Sequence, residues 1–95
     1  MYMRVVRFSD VNRERLDSLI AQIEQSDGPP PDIPATGLTL TFDADQGTAV
    51  VMQHFATAED MQAGARAFEA MDPGDTPGTR VSVDMGEVKL DVKAP

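Results

Sequence analysis

The 95-residue sequence predicts an α+β domain of order β-α-β-β-α-β, on three observations. Two stretches carry apolar residues at helical spacing. Four others are short, β-branched or strictly alternating. Segments rich in Gly, Pro and Asp separate them. At this length the chain is a single domain spanning residues 1–95, with a small core that folds alone only marginally.

The first strand is "YMRVVRF", Tyr2 to Phe8, and it stops at Ser9-Asp10, residue types that favour helix N-caps. From Val11 to Gln25 the apolar residues Leu16, Leu19, Ile20 and Ile23 fall at i, i+3, i+4 and i+7. That spacing forms one buried stripe, while Arg13, Glu14, Asp17 and Glu24 take the solvent side. Gly28 and the run Pro29–Pro31 cannot continue a helix and read as a stiff connecting loop. "GLTLTF" alternates Leu38, Leu40 and Phe42 against Thr39 and Thr41, and "TAVVMQHFA", Thr48 to Ala56, returns as its hairpin partner. The turn Asp43–Gly47 resembles a calcium loop only superficially. Its glycine comes one place early, and His54 stands where a bidentate Glu is required.

Thr57 is an N-cap with Asp60 three residues on, and Met61, Ala65, Phe68 and Met71 form the stripe of a second helix. Ala63, Gly64, Ala65 and Ala67 allow that helix to approach a neighbour closely, and Pro73-Gly74 end it. The last strand runs from Thr79 to Val92, but its apolar residues change phase: Val81, Val83 and Met85 are odd, Val88, Leu90 and Val92 even. A bulge at Gly86, or a strand that crosses to a second surface, would reconcile the two halves.

This order is the ferredoxin-like split βαβ arrangement: a four-stranded antiparallel sheet, strands one and three central, both helices on one face. Both central strands are apolar on both sides, with Val6 and Phe8 opposing Met3 and Val5, and Val51 and Phe55 opposing Val50 and Met52. Two helices cover only one face. A second copy of the chain is the simplest cover for the other, so the sequence predicts a homodimer through the open sheet face and the C-terminal strand.

The formal charge of −8 and pI near 4.3, with eight scattered Lys and Arg, argue against nucleic acid and anionic membranes as partners. No apolar run approaches the roughly 18 residues of a membrane span, and the amino terminus lacks the pattern of a signal peptide. With no cysteine, the chain offers no thiolate for catalysis and no Cys-type zinc site, and no metal site is expected. The expectation is a soluble cytoplasmic protein.

His54 and Arg4 are the two groups able to do chemistry. An imidazole at the end of the third strand is a candidate base or donor, or simply a strand-end residue meeting water. An arginine inside a central strand requires a carboxylate partner, an anion or solvent. If both face one cavity they form an anion-recognising pair in an apolar pocket, to which Met52 and Phe68 would add walls, although core filling serves those two equally well.

The element order, the "HFATAEDMQAG" junction and the long "RVSVDMGEVKLDV" strand together resemble the dimeric α+β barrel superfamily, in particular small antibiotic-biosynthesis-monooxygenase-like proteins. The resemblance implies a homodimer acting without cofactor or metal on a small apolar or aromatic substrate. It equally admits a non-catalytic dimer that binds a small apolar or anionic molecule, or an interaction scaffold. The first strand has no Asn, the chain has no Trp, and its His lies on the third strand, so the catalytic residues of haem-degrading and quinone-forming relatives do not carry over and no catalytic residue is assigned.

Overall fold

The computed structural model describes residues 1–25, 33–70 and 76–94; Gly28, Pro29–Pro31, Met71, Pro73 and Gly74 lie outside the described residues. Along them run β1 (Tyr2–Ser9), α1 (Arg13–Gln25), β2 (Gly37–Asp43), β3 (Thr48–Phe55), α2 (Ala58–Glu69) and β4 (Thr79–Glu87). The strands form one antiparallel sheet in the order β2-β3-β1-β4, placing β1 and β3 at the centre as the ferredoxin-like order requires. No helix among the described residues is long and apolar enough to cross a membrane.

Local chemistry explains the junctions. In the β2–β3 turn the Asp43 carboxylate accepts the Asp45 and Gln46 backbone N–H groups at 3.0 and 3.2 Å. The Gly47 N–H returns to the Asp43 carbonyl at 2.9 Å with φ of +66°, a conformation glycine adopts without penalty. The Thr57 hydroxyl accepts the Asp60 N–H at 3.0 Å and caps α2, where Glu59 and Asp60 complement the helix dipole. At α1 the cap is Asn12, not Ser9-Asp10. Its Oδ1 accepts the Arg15 N–H at 3.1 Å, and Asp10 instead turns the chain with φ of +50°. Helix α1 accordingly starts two residues later than the sequence suggests.

The β1–β4 pairing corrects a second expectation. The irregularity lies early in β4: Arg7 faces Ser82 and Phe8 faces Arg80, leaving Val81 unpaired and 56% exposed. Gly86 pairs in register with Met3 and is not a bulge. The strand ends at Glu87 and not at Val92, because no strand among the described residues pairs with its continuation. Val88 N–H still donates to the Met1 carbonyl at 2.9 Å, whereas Leu90 and Val92 are 81% and 75% exposed.

Paired residues share a sheet face, so the register sorts every side chain. Toward the helices point Arg4, Val6 and Phe8 of β1, Ala49, Val51, Gln53 and Phe55 of β3, and Leu38, Leu40 and Phe42 of β2. All those from β1 and β3 are buried. Away from the helices point Met3, Val5, Val50, Met52 and His54, half-buried within a rim of Thr39, Thr41, Ser82 and Asp84. Two apolar clusters hold the helix side. One is Val6, Phe8 and Val51; the other is Ile33, Phe55 and Met61.

Helix α2 approaches the sheet more closely than α1 does. Gly64 permits this, since a Cβ there would stand 2.6 Å from the fully buried Phe55 ring. Gly64→Ala should therefore destabilise the fold by about 1–3 kcal/mol through overpacking, outweighing the ~1 kcal/mol that alanine gains in helix propensity. Urea unfolding of the two proteins measures the balance, and a more stable variant would show that α2 has room to move.

Candidate functional site

Because α1 stands off the sheet, an apolar cavity of about 110 Å³ remains beneath it. Val6, Phe8, Leu40 and Val51 form its floor, Leu19 and Ile23 of α1 its roof, and Phe68 of α2 one wall. That volume is well under the roughly 300–1,000 Å³ of drug-sized pockets but near the ~150 Å³ of a cavity that holds benzene. A more polar outer groove of about 490 Å³ shares Phe68, Thr76 and Arg80 with the cavity and adds Asp10, Arg15 and Glu69.

Arg4 brings charge into this apolar space. Alternation on β1 sends it to the helix side, where it is only 2% exposed. Its Nη1 donates to the Oε1 of buried Gln53 at 3.1 Å, and its Nη2 reaches Glu69 Oε1 at 3.5 Å. The guanidinium carbon lies 5.2 Å from the Phe68 ring centroid, a cation–π placement. Nε is buried and has no hydrogen-bond partner among the described residues. Arg80 Nη1 takes the same Glu69 oxygen at 2.5 Å, so two guanidinium groups share one carboxylate.

The protonation equilibria follow from this sharing. Burial lowers the Arg4 pKa, with the Arg80 charge acting in the same direction and Glu69 opposing both. The Arg80 hydrogen bond, aided by the charges of both arginines, holds the Glu69 carboxyl below its ordinary range.

Of the sequence candidates, Arg4 and Phe68 lie on the cavity; Met52 and His54 do not. Their β3 positions alternate to the opposite face, where His54 pairs with Met3 and Gly37 and its ring lies over Gly37, 3.5 Å from where a Cβ would be. The expectation of one cavity shared by Arg4 and His54 is thus corrected by the register itself: a sheet separates them. Gln53, Glu69, Arg80 and Thr76 were missed. Gln53 carried a signal, as the one polar residue in the inward series Ala49, Val51, Gln53, Phe55. Glu69 and Arg80 carried none, since only the tertiary fold brings them together. Among the described residues no cluster of His, Asp and Glu is arranged to hold a metal ion.

Glu69 yields a pH dependence. Its folded pKa lies below the unfolded value, so its contribution to stability is complete above the ordinary carboxylate range near 4.3 and is lost as pH falls through the lower folded value. Urea midpoints measured from pH 7 down to pH 3 should fall less steeply for Glu69→Gln than for the parent. Parallel curves would show that the shared carboxylate is not linked to folding.

No protein-family model matches the chain, and no curated protein matches it. Solved structures do. A candidate antibiotic biosynthesis monooxygenase from Deinococcus radiodurans aligns over 100% of this chain and 99% of its own, with TM-score 0.60 and 14% identity. Rv0793 from Mycobacterium tuberculosis aligns over 98% of each chain, with TM-score 0.59 and 16% identity. A MhuD variant, solved with two manganese protoporphyrin IX molecules per active site, aligns over 99% of this chain and 100% of its own, with TM-score 0.64 and 20% identity. At these identities the similarity is one of fold: from end to end, the chain has the βαββαβ fold of the antibiotic-biosynthesis-monooxygenase-like structures.

Proposed function

We propose that this protein is a homodimer, of the antibiotic-biosynthesis-monooxygenase-like type, that takes a small apolar or aromatic molecule into the cavity between sheet and α1. The observation that carries the reading is the cavity: apolar walls from five elements with one buried cation, Arg4, at its edge. Its apolar walls favour an occupant that takes their surface out of water. Its volume suits a single ring, not a polycyclic compound or a porphyrin. Arg4 and Phe68 are the contact residues in this reading.

Oxygenation of that molecule is the second reading, favoured by the fold shared with a candidate monooxygenase. The cavity lining supplies no imidazole or phenol to accept a proton. In that reading Arg4 would stabilise the oxyanion of the substrate. Oxygen uptake by the protein with phenolic compounds separates this reading from binding alone.

The dimer reading rests on the far sheet face. Met3, Val5, Val50 and Met52 make an apolar centre with a polar rim, the anatomy of an interface core. Leu90 and Val92, both exposed, extend from the edge strand beside that face and supply apolar surface with which to reach a second copy. His54 then belongs to the subunit contact and not to ligand chemistry.

Two measurements test these points. Calorimetric titration with nitrobenzene, a neutral single-ring probe, should show saturable binding that Leu19→Trp weakens at least about tenfold by filling the roof; no binding to the parent protein would refute the cavity reading. Light scattering should give a dimer at micromolar concentration, and a monomer for Met52→Arg, whose buried charge lacks a partner. A parent protein that is strictly monomeric would overturn the dimer.

A further inference from the structure

The charge balance at the cavity edge says more about its ligand than the apolar walls do. In a chain with net charge −8, two arginines here share a single carboxylate among the described residues, leaving one positive charge in excess of it. General basicity does not explain that excess. Nor is the buried guanidinium satisfied among the described residues: the Nε–Nη2 edge, the side-on fork that matches a carboxylate with two parallel hydrogen bonds, has no partner for Nε there and one long contact of 3.5 Å. The group making that long contact, Glu69, is 52% exposed and already held more tightly by Arg80. It is a loosely seated occupant of a strong anion position, at the junction between the outer groove and the inner cavity.

Resting on the cavity reading above, we propose that the ligand is a small monocyclic carboxylic acid whose carboxylate takes the place of Glu69 on the Nε–Nη2 edge of Arg4 while its ring enters the chamber beneath α1. Glu69 stays with Arg80 and turns toward solvent. Phe68, beside the guanidinium, forms the wall that the incoming ring passes. The chamber volume sets the size limit at about one ring, and the planar fork selects a carboxylate over a neutral polar group.

The test compares benzoate with nitrobenzene, which has the same shape and no charge, by calorimetric titration of the full-length protein at low salt. Benzoate should bind at least about tenfold more tightly, the increment of a hydrogen bond to a charged group. Arg4→Met should bring the two probes to equal affinity by weakening benzoate alone. Glu69→Gln, which removes the competing carboxylate without touching the core, should tighten benzoate several-fold and leave nitrobenzene unchanged, and it decides the matter if Arg4→Met fails to fold. Nitrobenzene binding with no preference for benzoate overturns the carboxylate assignment and leaves the cavity reading standing. A preference for benzoate that survives Arg4→Met, or is unmoved by Glu69→Gln, places the anion elsewhere and also overturns it. If neither probe binds, the cavity reading falls and takes this assignment with it.

Discussion

A guanidinium held inside an apolar layer is the constraint around which the helix side of this protein is organised. Arg4 cannot leave the core without flipping the alternation of β1, which would drive Val6 and Phe8 to the opposite face. Partners must therefore come to it. Gln53 is fixed opposite by the β1–β3 register, Phe68 offers the face of its ring, and Glu69 lends a carboxylate from the end of α2. An uncompensated charge in such a place would cost several kcal/mol; Gln53 and Phe68 offset it from fixed positions, and Glu69, half exposed and 3.5 Å away, does so only loosely.

The two helices divide the work. Helix α2, brought close by Gly64, seals the Phe55 end of the sheet, and α1, resting on Leu16, Leu19 and Ile23, stays high enough to leave space. A fold of this size rarely keeps unfilled volume in its core. Here the space lies next to Arg4, the one buried charge among the described residues, so apolar walls and a cation meet at one place.

The sequence made most of the scaffold legible. Period two in "GLTLTF" and period 3.6 in Leu16, Leu19, Ile20 and Ile23 are direct physical signatures, and the Thr57 cap and Gly47 turn are local devices written in a few residues. The errors arose where neighbouring segments decide. Asn12 outcompetes Ser9-Asp10 as a cap because the Asn12 N–H is itself drawn to the Pro77 carbonyl at 2.9 Å, a contact 65 residues away. The phase change in the last segment reflects where pairing with β1 stops, and nothing within "MGEVKL" states that Glu87 is the final paired residue. The cavity was half legible: alternation put Arg4 among inward residues and His54 among outward ones, but the convergence of Glu69 and Arg80 on Arg4 depends on the α2–β4 geometry.

One strand, β1, thus writes two messages in alternate letters. Its even residues, Arg4, Val6 and Phe8, face the chamber; its odd residues, Met3 and Val5, face the opposite way. Side-chain changes in one series therefore alter one face of the sheet and leave the packing of the other face untouched. The backbone, however, is common to both. Met3 and Val5 are fixed by the same backbone that carries Arg4, Val6 and Phe8, so the far face and the chamber floor share one rigid strand.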